Sequence, residues 1–193
     1  MSTSTNRRAE QRRATADRVI AAAWELCRTE GVGGWSMRQL ATAVGMRAPS
    51  LYEHFANKNA IYDAMFAAGY RDLLTATEHL IDPDQGTRRE RLRRSAHVFI
   101  ELCVQDPARF ELLFTRPIPG FVPSEESFAL AQDLLGRAAA VLAQAAPDLE
   151  LDLWTAMLTG LASQQISNDP GGTRWVSLVD RAVDLLLGES AST

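Results

Sequence analysis

Met37-Arg-Gln-Leu-Ala41-Thr-Ala-Val-Gly45-Met-Arg-Ala-Pro-Ser-Leu51 is the stretch that decides the fold. Two short helical runs flank a glycine, and two helices joined by so short a turn make a helix-turn-helix. Ala41 is small where the helices would cross, and Gly45 supplies the positive φ of the turn. Leu40, Val44 and Leu51 are spaced to fill the core between them. Just ahead, Ser36 and Gln39 form a capping box, in which hydroxyl and carboxamide each satisfy the other's backbone amide. Trp35 and Leu40 stand at the staple positions around that cap. Helices are expected at 36–44 and 48–55, the second with Pro49 in its first turn, where a missing amide costs least.

Working outward, apolar residues return every three or four positions, and no stretch alternates strictly enough for a strand. The expectation is an all-α protein of about nine helices. A first helix at 14–29 carries Val19, Ile20, Ala23, Trp24 and Cys27 on one face and stops at Gly31. A long helix capped near Asn57 runs to about residue 80, and turn residues make 81–86 a loop. Further helices are expected at 87–105, 107–114 (capped by Asp106), 125–146, 149–166 and 174–188. The domain reading is a flexible basic arm at 1–13, a three-helix helix-turn-helix domain at 14–60, and a larger helical domain at 61–193.

Composition narrows the function. Of 193 residues, 46% are hydrophobic and 23% charged, as in a packed globular chain. Cys27 and Cys103 lie far apart with no Cys or His spacing for zinc, so neither a disulfide framework nor a metal site is expected. The apolar run 134–146 is broken by Arg137, too short to span a membrane, and the first residues hold no apolar signal region. A cytoplasmic protein is expected. No Gly-rich phosphate loop, HExxH or GxSxG occurs, so there is no reason to propose an enzyme or a cofactor. The net charge of −4 is unevenly spread. Residues 1–60 hold Arg7, Arg8, Arg12, Arg13, Arg18, Arg28, Arg38, Arg47 and Lys58 against five acidic residues, whereas the remainder is strongly acidic. A basic end on an acidic body suggests that the first part meets a polyanion.

Residues 14–62 resemble the DNA-binding domain of the tetracycline-repressor (TetR) family. The resemblance rests on Trp35-Ser-Met-Arg-Gln-Leu-Ala41, Gly45, Pro49-Ser-Leu-Tyr-Glu-His-Phe55 and Asn57-Lys58. It implies a homodimeric transcription regulator, usually a repressor, that binds a palindromic double-stranded DNA operator and is released by a small-molecule effector. The chemistry of the segment agrees. A recognition helix enters the major groove amino end first, which places Arg47, Ala48, Pro49 and Ser50 nearest base edges. Arg38 suits the O6 and N7 acceptors of guanine, and Ala48 a thymine methyl. Ser36, Tyr52, His54 and Lys58 offer donors for phosphate oxygens, while Met37 stands where some relatives have a polar phosphate-contacting residue. For the arginines of the arm two readings stand: contact with a minor groove or phosphates, or a tail that aids encounter.

In the body, Phe66, Phe99, Cys103, Phe110, Phe114, Leu130, Trp154 and Met157 are candidates to line a cavity for a largely apolar effector. The same residues are what any helical core contains. The resemblance further implies a four-helix dimer interface from the last two long helices, with Leu151, Leu158, Leu161, Val176, Val179, Val183 and Leu186 as its residues. Two rival readings are a body that works as an interaction module or enzyme, and a DNA binder without sequence preference.

Overall fold

The computed structural model describes residues 2–81 and 86–188. Among them are nine α-helices, two short 3-10 turns and no strand, so the all-α expectation holds. The helices are α1 (Ser2–Glu30), α2 (Met37–Ala43), α3 (Ala48–His54), α4 (Lys58–Ala76), α5 (Arg88–Gln105), α6 (Pro107–Phe114), α7 (Glu125–Ala145), α8 (Leu151–Asn168) and α9 (Val179–Leu186). Of the loop expected at 81–86, residues 82–85 lie outside the described residues.

One expectation fails at the amino end. α1 begins at Ser2 rather than residue 14, so over 2–13 the segment read as an arm is a helix continuous with α1. The reason is local: this stretch has no glycine or proline, and Arg7-Arg-Ala-Glu-Gln-Arg-Arg13 consists of strong helix formers. The chain also divides elsewhere than at 60/61. One compact unit comprises the chain up to Gly69 together with Glu111–Phe128, and the other comprises Tyr70–Phe110 with the chain from Ala129 on.

In the first unit α1 buries Val19, Ala23, Trp24 and Cys27, and the short helices bury Leu40, Ala41 and Leu51. The distant segment joins this unit through specific contacts. The rings of Phe121 and Tyr62 lie 5.7 Å apart. The carboxylate of Asp63 accepts from the Ser124 amide at 2.7 Å and from the hydroxyls of Ser124 and Ser127 at 2.9 and 3.0 Å. Gly69 lets α4 and α6 approach closely, since a Cβ there would sit 2.9 Å from Leu113.

In the second unit α5 is the central element, burying Leu92, Ala96 and Ile100 at four-residue spacing. Trp154 and Leu158 of α8, Val179 and Val183 of α9, and Leu142 of α7 complete this core. A charged seam runs beside it. Asp184 accepts from Arg89 through both oxygens, at 2.8 and 2.6 Å, and from Arg93 at 2.6 Å, while His97 meets Asp180 at 2.8 Å. Fully buried Gln165 donates to the Asp169 carbonyl and accepts from the amides of Trp175 and Val176 at 2.8 and 3.2 Å. That bridge shapes the turn, so the helix expected at 174–188 is instead a 3-10 turn at Val176–Leu178 followed by α9.

The packing corrects three of the candidate dimer residues and leaves the other four half-buried. Leu158, Val179 and Val183 are buried by their own chain, and Leu151, Leu161, Val176 and Leu186 pack against the same core. Helical periodicity marks a buried face without saying what buries it. Trp154 likewise belongs to that core, with Phe99 and Met157 packed on it. Of the effector candidates, Phe66 and Phe114 fall in the first unit, and Phe99, Cys103, Phe110, Leu130, Trp154 and Met157 in the second. Among the described residues no helix is long and apolar enough to cross a membrane.

Candidate nucleic-acid interface

The interface is built on a turn whose backbone hydrogen bonds close internally. After α2, the Met46 amide donates to the Ala41 carbonyl at 2.9 Å and the Gly45 amide to Thr42 at 3.1 Å. This pair of bonds is the Schellman arrangement, and it requires the left-handed backbone that Gly45 adopts at φ 68°. The Arg18 guanidinium reaches the Val44 carbonyl at 3.4 Å and ties α1 to the turn. At the other end of α2 the capping box is present: the Gln39 amide donates to Ser36 Oγ at 3.3 Å, and Gln39 Oε1 accepts from the Ser36 amide at 2.8 Å.

The loop entering α2 is pinned from three sides. The Tyr62 hydroxyl donates to the Val32 carbonyl at 2.7 Å. Lys58 Nζ donates to the carbonyls of Gly33 at 3.0 Å and Trp35 at 2.5 Å, and it lies 4.3 Å from the centre of the Trp35 ring. The Trp35 indole donates to Cys27 Sγ at 3.2 Å. Burial pushes the Cys27 thiol up to about 11 and lowers the Lys58 amine from its ordinary value. Cys27 is therefore a packing residue with little thiolate character.

Of the ten residues expected to meet DNA, eight remain available. Arg38, Arg47, Pro49 and Tyr52 are exposed; Met37, Ala48, Ser50 and His54 are half-buried. Arg47 caps α3 without a side-chain bond, and Ala48 and Pro49 open that helix. The other two are corrected. The Ser36 hydroxyl hydrogen goes to Gln39 Oε1 at 2.7 Å, so its role is to cap α2. Lys58 turns inward onto the loop carbonyls and is a structural brace rather than a phosphate donor. The sequence reading missed a groove of about 690 Å³ lined by Arg8, Ala9, Gln11, Arg12, Thr15, Glu53 and His54. Its signal was present, since Arg8, Arg12 and Thr15 share one helix face. Among the described residues no group of His, Cys, Asp or Glu is placed to hold a metal.

Two short helices fixed by a left-handed glycine turn, with arginines exposed along them, define a helix-turn-helix DNA-binding domain. Residues 19–65 match the family described as bacterial regulatory proteins, tetR family. Over those residues the chain is similar to that family of transcriptional regulators. The class A tetracycline repressor of transposon 1721 from Escherichia coli is 46% identical over 50 residues, 26% of this chain and 23% of that protein. The HTH-type transcriptional repressor DrrR1 of Streptomyces coeruleorubidus is 31% identical over 106 residues, 55% of this chain and 38% of that protein. The chain thus spans less than half the length of these curated relatives. Beyond them the likeness is one of fold. The crystal structure of the transcriptional regulator FadR from Bacillus subtilis, in complex with stearoyl-CoA, superposes with a TM-score of 0.71 at 17% identity, covering 90% of this chain and 98% of that one.

Proposed function

We propose that the chain is a homodimeric transcriptional repressor in the cytoplasm, binding a two-fold symmetric operator through α2 and α3 and leaving it when a small effector occupies the body. The observation that carries this reading is the set of exposed side chains Arg38, Arg47, Pro49 and Tyr52 on a helix pair whose turn and cap bonds close internally. Arg38 pairs with guanine through both acceptors in the major groove, Arg47 and Ser50 read the neighbouring bases, and Tyr52 and His54 hold phosphates. Two copies must present α3 about 34 Å apart, one turn of DNA. Among the described residues, Leu153 of α8, Leu178 of the 3-10 turn and Leu185 of α9 are the large apolar side chains this end of the chain leaves exposed, and they replace Leu158, Val179 and Val183 as the dimer contacts.

The stearoyl-CoA in FadR supports a largely apolar effector, with Phe99, Cys103 and Phe110 of the second unit among its contacts. Such a molecule lowers DNA affinity only as far as it favours a conformation with the wrong half-site spacing. α4 is the lever, because it starts beside the pinned loop at Lys58 and continues into the second unit. Selection of DNA fragments by the effector-free protein at physiological salt, followed by sequencing, tests the reading. A two-fold symmetric motif is expected; retention without a motif would mean non-specific binding, and no retention would move the function into the body.

A further inference from the structure

Resting on that reading, we propose that Arg8 and Arg12 of α1, beside His54 at the end of α3, extend the contact with DNA backbone phosphates beyond the helix-turn-helix. The face of α1 that packs inward carries Cys27, Ala23 and Val19, all buried. Continued toward the amino end in steps of three and four, the same face carries Thr15, Arg12 and Arg8. A helix seeking more burial would place apolar residues there; this one places two guanidiniums about 16 Å beyond the last buried residue at the Arg8 end, by its rise per residue. Both are exposed, and among the described residues neither makes an ion pair or a hydrogen bond.

They line the groove of about 690 Å³ whose other wall is Glu53 and His54 of α3. The groove is open, and its two arginines outnumber its single carboxylate, Glu53. Its partner class follows from its position. α3 is the helix whose first residues read bases, so a groove at its last residue lies where a bound duplex continues past the half-site. Guanidinium and imidazole are phosphate donors. Because 2–13 is helical, the arginines are held at fixed spacing rather than scattered along a tail, and their contact is with particular phosphates flanking the operator.

The test compares Arg8→Gln/Arg12→Gln with Arg7→Gln/Arg13→Gln, which removes the same charge from residues that do not line the groove. Glutamine keeps helix propensity, and circular dichroism checks that each variant is folded. Salt dependence of affinity is measured by fluorescence anisotropy on the selected operator, with and without flanking base pairs. The groove variant should lose about two from the log–log slope per protomer, near 0.9 for each phosphate released, with base preference unchanged. Trimming the flanks should weaken the wild type and leave that variant unaffected. Equal slope losses in the two variants would reduce the arginines to general electrostatic steering, and an unchanged slope would leave the groove to an acidic peptide; either overturns the proposal. A wild type that selects no motif defeats the repressor reading instead, so the two failures are distinct.

Discussion

Lys58 and Arg38 separate two uses of a basic side chain. Two of the amine hydrogens of Lys58 go to the carbonyls of Gly33 and Trp35, 25 and 23 residues away in the chain. Lys58→Met keeps the apolar stem and removes the donors, so the domain should lose about 1.5–3 kcal/mol, the range for hydrogen bonds involving a charged group. Thermal unfolding measures it; an unchanged Tm would return Lys58 to the DNA surface. Arg38 is exposed and serves nothing inside. Arg38→Ala should leave Tm unchanged and remove about 1–3 kcal/mol of discrimination at one base pair per half-site, read by competition between operator variants.

Among elements, the α5–α9 seam is one whose strength depends on pH. Hydrogen bonds from Arg89, and then Arg93, hold the Asp184 carboxyl below its ordinary value. A carboxylate whose folded value is depressed adds stability above its unfolded value of about 3.9, and that contribution disappears as pH falls through the lowered one. Asp184→Asn should therefore shift the urea midpoint down at pH 7, with the gap to wild type narrowing below about pH 4. A constant gap would mean that the loss is one of packing. How far such elements were legible follows from the range of their interactions. The capping box at Ser36 and Gln39 and the turn at Gly45 are written within a few residues and were read correctly. The inward turn of Lys58 and the docking of Phe121 and Ser124 onto the first unit depend on partners far along the chain. The apolar repeat on α8 and α9 was seen, but not that α5 would cover it.

For the whole molecule, the proposed assembly and the proposed binding are one claim, because a monomer offers only half of a symmetric site. Leu153 is 52% exposed and Leu185 68%, so charges there should cost little within one chain. Leu153→Glu/Leu185→Glu should sediment as a monomer and lose operator affinity while keeping its helical content; a variant that stays dimeric would place the interface on another face. The brace at Lys58 also gives the molecule a chemical reporter. It is the only lysine in the chain, and its amine is committed to two carbonyls beneath an indole. Acylation by an amine-directed ester should therefore be slow at that peptide, waiting on each opening of the loop before α2. The labelling rate, followed by mass spectrometry, then clocks the breathing of the reading head, and it should fall further when operator holds the domain shut.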